Sequence, residues 1–361
     1  MDGSERTDQI HKRRAKKVNL FYVNDFDGGI YRRVSGRGFS YVTADGKPLR
    51  GVRVRTRIES LVIPPAWQDV WICTKANGHI QAIGRDEAGR KQYLYHPSWH
   101  AISTTTKYDR MRRFGRLLPR IRRRVRKDLD GGKLSKERVL AAVVRLLDKA
   151  CVRIGNERYV KERGSRGATT LTAEHVTVNG FAITLDFPGK SSVQHEIEFS
   201  DRKTAKAIRQ CAEIAEQYLF CYRDESGLFQ PVKSTHVNEY LRSISGASIS
   251  AKDFRTWWGS IAALDDLVAL GYGETDRERK RAAVRAVRAS AQTLGNTVAV
   301  CRKSYIHPGI LAATETGELA AMVLKAGKKV QPIAELNQSE VLIVSLLPLL
   351  KASQSALKAA V

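Results

Sequence analysis

HVTVNGFAITLDFPGKSSVQHEIEF, residues 175–199, is a β insertion in a half of the chain that otherwise reads as helix. HVTV (175–178) and FAITLDF (181–187) flank Asn179-Gly180, the dipeptide favoured in a type I′ hairpin turn. Phe181, Ile183, Leu185 and Phe187 alternate with Ala182, Thr184 and Asp186, as in a strand buried on one side. PGK (188–190) then turns the chain into VQHEIEF (193–199) and leaves Lys190 at the tip.

Before the insertion, SKERVLAAVVRLLDKACVRIG (135–155) has the composition of a strong helix with Ser135 at its N-cap. Arg138 stands where a capping-box Glu would be, so no box forms. TTTKYDRMRRFGRLLPRIRRRVRKDL (104–129) carries ten Lys/Arg between Arg110 and Lys127. Met111, Phe114, Leu117, Leu118 and Ile121 form an apolar stripe between those charges at helical spacing. After the insertion, helices are predicted over 202–220, 234–243, 252–271, 276–294 and 297–306, with Gly295 ending one and Thr297 starting the next.

Residues 19–100 have a different character. NLFYVND (19–25), GFSYVT (38–43) and VWICTK (70–75) are short aromatic and β-branched runs separated by the turn signals DGG, ADGKP and ANGH. ESLVIP (59–64) is strand-like until Pro64 and Pro65 break it, and GRDEAGRKQYLYH (84–96) reads as a hairpin with a basic tip. The expected fold is α+β: a basic flexible tail (1–18), a small β-rich N-terminal domain (19–103) and a mainly α-helical domain (104–361) with an inserted β-hairpin. There is no internal repeat, and residues 311–361 suggest no role.

The chain has 361 residues, enough for roughly two or three domains. It carries 62 Lys+Arg against 37 Asp+Glu, a net charge of +25. Such an excess repels itself in a compact fold unless a polyanion is the working partner, which points to nucleic acid. A membrane is not expected: the longest apolar run, VLIVSLLPLL (341–350), is about half of a spanning helix and contains Pro348. The N-terminus MDGSERTDQIHKRRAKK lacks the apolar core of a signal peptide. Five cysteines, an odd number with no CxxC pair, argue against a disulfide framework or structural zinc and fit a reducing cytoplasm.

Four segments carry chemistry: VRIGNERY (152–159), FPGKSSVQH (187–195), KDFRTWWG (252–259) and GNTVAVCRKSYIHP (295–308). The last sets Tyr305 in a basic stretch. A tyrosine can attack a phosphodiester and hold one strand as a phosphotyrosyl ester. The enzyme must then neutralise charge on the nonbridging oxygens and protonate the departing sugar oxygen. No Asp/Glu cluster has metal-ligand spacing, so no metal and no cofactor is expected. Arginine forks match pairs of phosphate oxygens, and lysine suits proton donation. Taken singly, each residue also reads as an ordinary surface or packing residue. Cys301 reads as buried packing, and His195 as a strand residue with no assigned role beside the hairpin.

In this order the four motifs resemble the type IB DNA topoisomerases, specifically the small poxvirus-like group and its bacterial relatives, over roughly residues 20–310. The resemblance implies Tyr305 as nucleophile, Arg153 and Arg255 as transition-state arginines and Lys190 as general acid. The viral enzymes carry a histidine nine residues before the tyrosine; Asn296 stands there in this chain, an amide that can donate but cannot carry charge. Lys252 precedes the second arginine. RKQYLYH (90–96) is similar to the family's major-groove segment, which implies base contacts by Gln92, Tyr93 and Tyr95. The implied reaction is relaxation of supercoiled duplex DNA through a 3′-phosphotyrosyl bond without ATP or metal. The implied form is a cytoplasmic, nucleoid-associated monomer clamped around DNA. Two other readings stand beside it. A tyrosine recombinase shares the chemistry, but usually has a histidine at the position of Lys252 and a helical N-terminal domain. A non-enzymatic architectural DNA-binding protein would explain the charge alone.

Overall fold

The computed structural model describes residues 3–328 and 331–350, which divide into two compact units on either side of residue 107. The N-terminal unit starts with helix α1 (Gly3–Lys17), continues through β1 (Gly29–Ser35), β2 (Gly38–Thr43), α2 (Val52–Ser60), β3 (Gln68–Cys73), β4 (Ile80–Arg85) and β5 (Lys91–Tyr95), and ends in the first turns of α3 (Pro97–Leu129). The strands form one antiparallel sheet in the order β2-β1-β3-β4-β5. One face buries Ile30, Ile58, Val70, Ile72 and Ala82; the other packs Val23, Trp71, Cys73, Ile80 and Ile83.

Three local expectations change here. Residues 3–17, expected within a basic flexible tail, form a helix whose Ala15 finds an apolar cluster with Leu20 and Trp99. ESLVIP is not strand-like: residues through Ser60 close helix α2, which buries Ile58 against the sheet. NLFYVND makes only an isolated bridge, Phe21 to Gly78.

The larger unit is mainly helical. From α3 it runs through α4 (Lys136–Lys149), α5 (Glu157–Arg163), β6 (Val176–Asn179), β7 (Ala182–Pro188), β8 (Gln194–Ser200), α6 (Arg202–Ala212), β9 (Cys221–Arg223), β10 (Phe229–Pro231) and α7 (Ser234–Ser245). It closes with α8 (Ala251–Leu270), α9 (Asp276–Leu294), α10 (Val298–Ser304), α11 (Pro308–Glu315), α12 (Leu319–Gly327) and α13 (Gln338–Leu346). On α3, Met111, Phe114, Leu118 and Ile121 are buried in the main core. Helix α4 starts at Ser135, whose side chain accepts from the Arg138 amide, and stops at Lys149 because Cys151 takes a positive φ of 53°.

Strands β6, β7 and β8 form a three-stranded antiparallel sheet, so the insertion is where expected. Its first turn differs. Asn179 pairs with Ala182, and of the two loop residues only Gly180 has positive φ (58°). A type I′ turn needs positive φ at both central residues, so this is not one. Phe181 therefore sits on the turn, half exposed under Arg202, while Ile183, Leu185 and Phe187 fill the core. The helix predicted over 202–220 ends at Ala212, since Tyr218, Leu219 and Phe220 are buried and lead into the short hairpin β9–β10.

Candidate active site

Arg255 lies on the buried face of α8, only 3% exposed, in the second helical turn. Its Nη2 donates to the Leu294 carbonyl at 2.8 Å and its Nη1 to the Cys151 carbonyl. One guanidinium thus ties the C-terminus of α9 to the segment that follows α4. The remaining face of the fork looks at Tyr305, whose ring centroid is 5.2 Å from the guanidinium carbon. That geometry uses the planar, multi-donor group of arginine; an ammonium has no equivalent.

The Cys151–Gly155 segment is held by backbone pairing with the loop after α5: the Ala168 amide donates to the Arg153 carbonyl and the Thr169 amide to that of Ile154, each at 2.8 Å. Gly167 lies so close to Gly155 and the Arg153 carbonyl that a β-carbon there would overlap them. Arg153 is thereby aimed at Asn296, and its Nη2 donates to the Asn296 Oδ1. Burial first, and the neighbouring Arg255 guanidinium second, lower the Arg153 pKa from its ordinary value. A pair of like charges held this close calls for an anion between them.

Asn296 follows Gly295, the left-handed C-cap of α9 (φ 55°), and its amide donates to the Ala291 carbonyl at 3.0 Å. With Oδ1 taken by Arg153, its buried Nδ2 donor has no partner among the described residues; the Arg255 Nε is in the same condition. Buried donors left unmade are costly, and a phosphate oxygen supplies the acceptor such a site lacks.

Tyr305 ends α10, its amide donating to the Cys301 carbonyl at 2.9 Å. The buried Ser260 hydroxyl donates to the Tyr305 carbonyl (3.1 Å) and accepts from the His307 amide (2.9 Å), which fixes the backbone on both sides of Ile306. The Tyr108 hydroxyl donates to the Ile306 carbonyl at 2.5 Å. Gly259 lets α8 pass close beneath: a β-carbon there would be 3.1 Å from that of Tyr305. Cys301 is fully buried and packs in the core.

Lys190 occupies the tip between β7 and β8, exposed, in a single 3₁₀ turn (Lys190–Ser192) closed by the Gly189 amide donating to the Val193 carbonyl at 2.8 Å. His195 stands behind it. Its imidazole stacks on Phe187, its partner across β7–β8, and lies against both Gly189 and Gly295. The sequence gives no signal of that second contact, because the two residues are separated by about a hundred positions and a mid-strand histidine is unremarkable. Lys252 is exposed in the first turn of α8.

In the N-terminal unit, Gln92, Tyr93 and Tyr95 lie on β5, an edge strand. The Gln92 amide donates to Asp86 Oδ2 at 2.8 Å, across its own hairpin. Tyr93 is 42% exposed and stacks on Tyr95, with Lys91 over its outer side. Tyr95 is packed against Val23, Trp71 and Trp99, and burial raises its pKa.

Two arginines and an amide thus lie about one tyrosine on a helical scaffold, an arrangement that suits an anion such as a phosphodiester. A family profile described as the catalytic core of eukaryotic DNA topoisomerase I matches residues 96–326, and one described as the N-terminal domain of bacterial DNA topoisomerase IB matches residues 38–86. The chain is 30% identical to DNA topoisomerase 1B of Acanthamoeba polyphaga mimivirus over 285 residues, covering 77% of this chain and 85% of the viral one. It is 21% identical to DNA topoisomerase 1B of vaccinia virus (strain Copenhagen) over 314 residues, covering 85% and 93%. Against DNA topoisomerase 1 of Daucus carota the identity is 31% over 168 residues, 46% of this chain and 20% of the plant protein. The chain belongs to the type IB DNA topoisomerases. DNA is its substrate, and the recombinase and architectural readings are set aside. Among the described residues no helix is long and apolar enough to cross a membrane.

Proposed function

We propose that Tyr305 is the nucleophile with which this enzyme relaxes supercoiled duplex DNA, and that Arg153, Arg255, Asn296 and Lys190 are its catalytic partners. The Tyr305 oxygen, its proton lost to solvent, attacks phosphorus. The P–O5′ bond breaks, and Lys190 gives a proton to the departing 5′-oxygen. Arg153 and Arg255 hold the charge on the nonbridging oxygens, with the Asn296 amide as a further donor. The strand is now a 3′-phosphotyrosyl ester with a free 5′-hydroxyl, which swivels and releases supercoils. Attack by that hydroxyl reverses each step, so the phosphodiester energy is kept in the ester and neither ATP nor metal is consumed.

The observation that carries this reading is the double use of Arg255. The same guanidinium that bridges the Cys151 and Leu294 carbonyls faces the Tyr305 ring at 5.2 Å, so the phosphate site is assembled by the fold before DNA arrives. The exposed Lys252 fits a phosphate contact, and Gln92 and Tyr93 fit base contacts, with Tyr95 stacked behind as support. Five free, buried cysteines and a net charge of +25 support action in the cytoplasm on the nucleoid; we take the enzyme to act as a monomer.

The test is relaxation of supercoiled plasmid in EDTA without ATP, with Tyr305→Phe alongside, over a range of salt. Wild type is expected to relax the plasmid and form a covalent DNA adduct, and the variant to do neither. Relaxation that survives in Tyr305→Phe would sink the assignment of the nucleophile.

A further inference from the structure

His195 has a place in the site that no motif assigns. Its ring direction is set by Phe187, a core residue, on which it stacks with centroids 5.2 Å apart and planes 19° apart. A β-carbon at Gly189 would overlap ring atoms Cδ2 and Nε2; one at Gly295 would overlap Cε1 and approach Nδ1 at 2.9 Å. Opposite edges of one imidazole therefore abut two glycines. One is the residue before Lys190, and the other is the residue before Asn296. Gly295 has a second reason to be glycine, its φ of 55°. Gly189 has φ −88°, open to any residue, so what excludes a side chain there is chiefly the ring of His195.

We propose that His195 is a positioning residue for strand cleavage: its imidazole is the spacer that fixes the Lys190 turn against the Gly295–Asn296 turn. This rests on the reading of Lys190 as the proton donor. Lys190 sits on an exposed 3₁₀ turn closed by the Gly189–Val193 hydrogen bond, and an error of about 1 Å in such a group costs about 10²-fold in rate. Burial, then Arg153 and Arg255, push the His195 imidazole below its ordinary pKa, so at neutral pH it spaces the two turns without adding a third cation to theirs.

The experiment exploits the leaving group. A thiol is far more acidic than an alcohol, with a pKa of about 8.5. A duplex whose mapped scissile phosphate carries a 5′-bridging sulfur therefore departs without a proton. Single-turnover cleavage of oxygen and sulfur duplexes is measured with wild type, Lys190→Ala and His195→Ala. The oxygen-to-sulfur ratio within one preparation does not depend on how much of the protein is folded.

On oxygen, Lys190→Ala is expected to be about 10²–10⁴-fold slow and His195→Ala about 10–10²-fold slow. On sulfur, both are expected to come within a few-fold of wild type. If Lys190→Ala is rescued by sulfur while His195→Ala stays equally slow on both, the positioning role is overturned and the Lys190 reading stands. Full-speed cleavage of oxygen by His195→Ala also overturns it. If sulfur fails to rescue Lys190→Ala, the proton-donor reading falls and takes the spacer role with it.

Discussion

Arg255 shows how little freedom a single residue has in this site. Its guanidinium bridges two carbonyls and faces Tyr305 at once, and lysine has the charge without the fork. Arg255→Lys is therefore expected to lose about 10²–10³ in cleavage rate despite keeping its charge, measured as covalent adduct formed per unit time. Asn296 makes the opposite prediction. Its work is to accept from Arg153 and to present a donor, and a neutral imidazole can do both. Asn296→His should keep cleavage within about tenfold, whereas Asn296→Ala leaves Arg153 without its acceptor and should cost about 10²-fold; abolished cleavage in Asn296→His would contradict this. At Gly189 the ring of His195 makes a coupled prediction. Gly189→Ala should slow cleavage alone but add little on top of His195→Ala, because the space is then open.

At the scale of elements, the C-terminal stretch to which the sequence assigned nothing acquires a structural role. Helix α13 is started by a capping box, Asn337 with Glu340, and the same Glu340 carboxylate is 1% exposed. It accepts from both Nη atoms of Arg122 on α3, at 2.8 and 2.7 Å, and from the Trp257 indole on α8 at 3.0 Å. Asp148 on α4 holds the other side of Arg122 at 2.8 Å. Four helices therefore meet at one buried cation, so α13 braces the helix that carries Arg255. Removing Glu340 leaves Arg122 paired with Asp148, but it takes one acceptor from each Nη and orphans the buried Trp257 indole, and a buried donor left without its partner costs about 1–3 kcal/mol. Glu340→Ala is expected to lower the thermal midpoint by several degrees and to weaken relaxation at elevated temperature first. An unchanged melting curve would show that the network carries no stability.

At the scale of the whole molecule, two bulk properties follow. The excess of 25 positive charges is not neutralised internally: Arg112, Arg113, Arg116 and Arg120 on α3 are exposed and in no ion pair among the described residues. DNA affinity should fall linearly on a log–log plot with salt, and reversing Arg112 and Arg116 to Glu should flatten the slope by about two. Equal slopes in filter-binding titrations would exclude α3 from the phosphate-contacting surface. Acid should act on the N-terminal unit. His79 is buried between Tyr22 and Trp99, its Nδ1 accepts from the Val23 amide, and burial pushes its pKa down from 6.5 to about 4. A folded pKa below the unfolded one means the unfolded chain takes up the proton first, so stability is lost as pH falls through about 6.5 and the loss is complete near pH 4. The full shift is worth on the order of 3 kcal/mol. His79→Gln should remove most of that acid sensitivity in unfolding titrations of the whole chain.

The amino-acid sequence by itself determined what depends on local chemistry. Ser135 and Thr297 cap helices because their hydroxyls reach nearby amides, Gly295 ends α9 because it tolerates a positive φ, and the alternation of Ile183, Leu185 and Phe187 marks a half-buried strand. The four motifs named the family for the same reason: each needs particular residue types within a few positions. Where long-range packing outweighs local propensity, the sequence was silent or misleading. ESLVIP has strand-forming residues yet joins a helix that buries Ile58, the basic N-terminus becomes a helix on Trp99, and the run after Ala212 leaves its helix to bury Tyr218, Leu219 and Phe220. Only the tertiary structure decided that Arg255 holds Cys151 and Leu294 together, that Glu340 seats Arg122, and that His195 touches Gly295. Those contacts join positions tens to hundreds of residues apart, and a pairing between such positions leaves no periodicity or spacing in a single chain to be read.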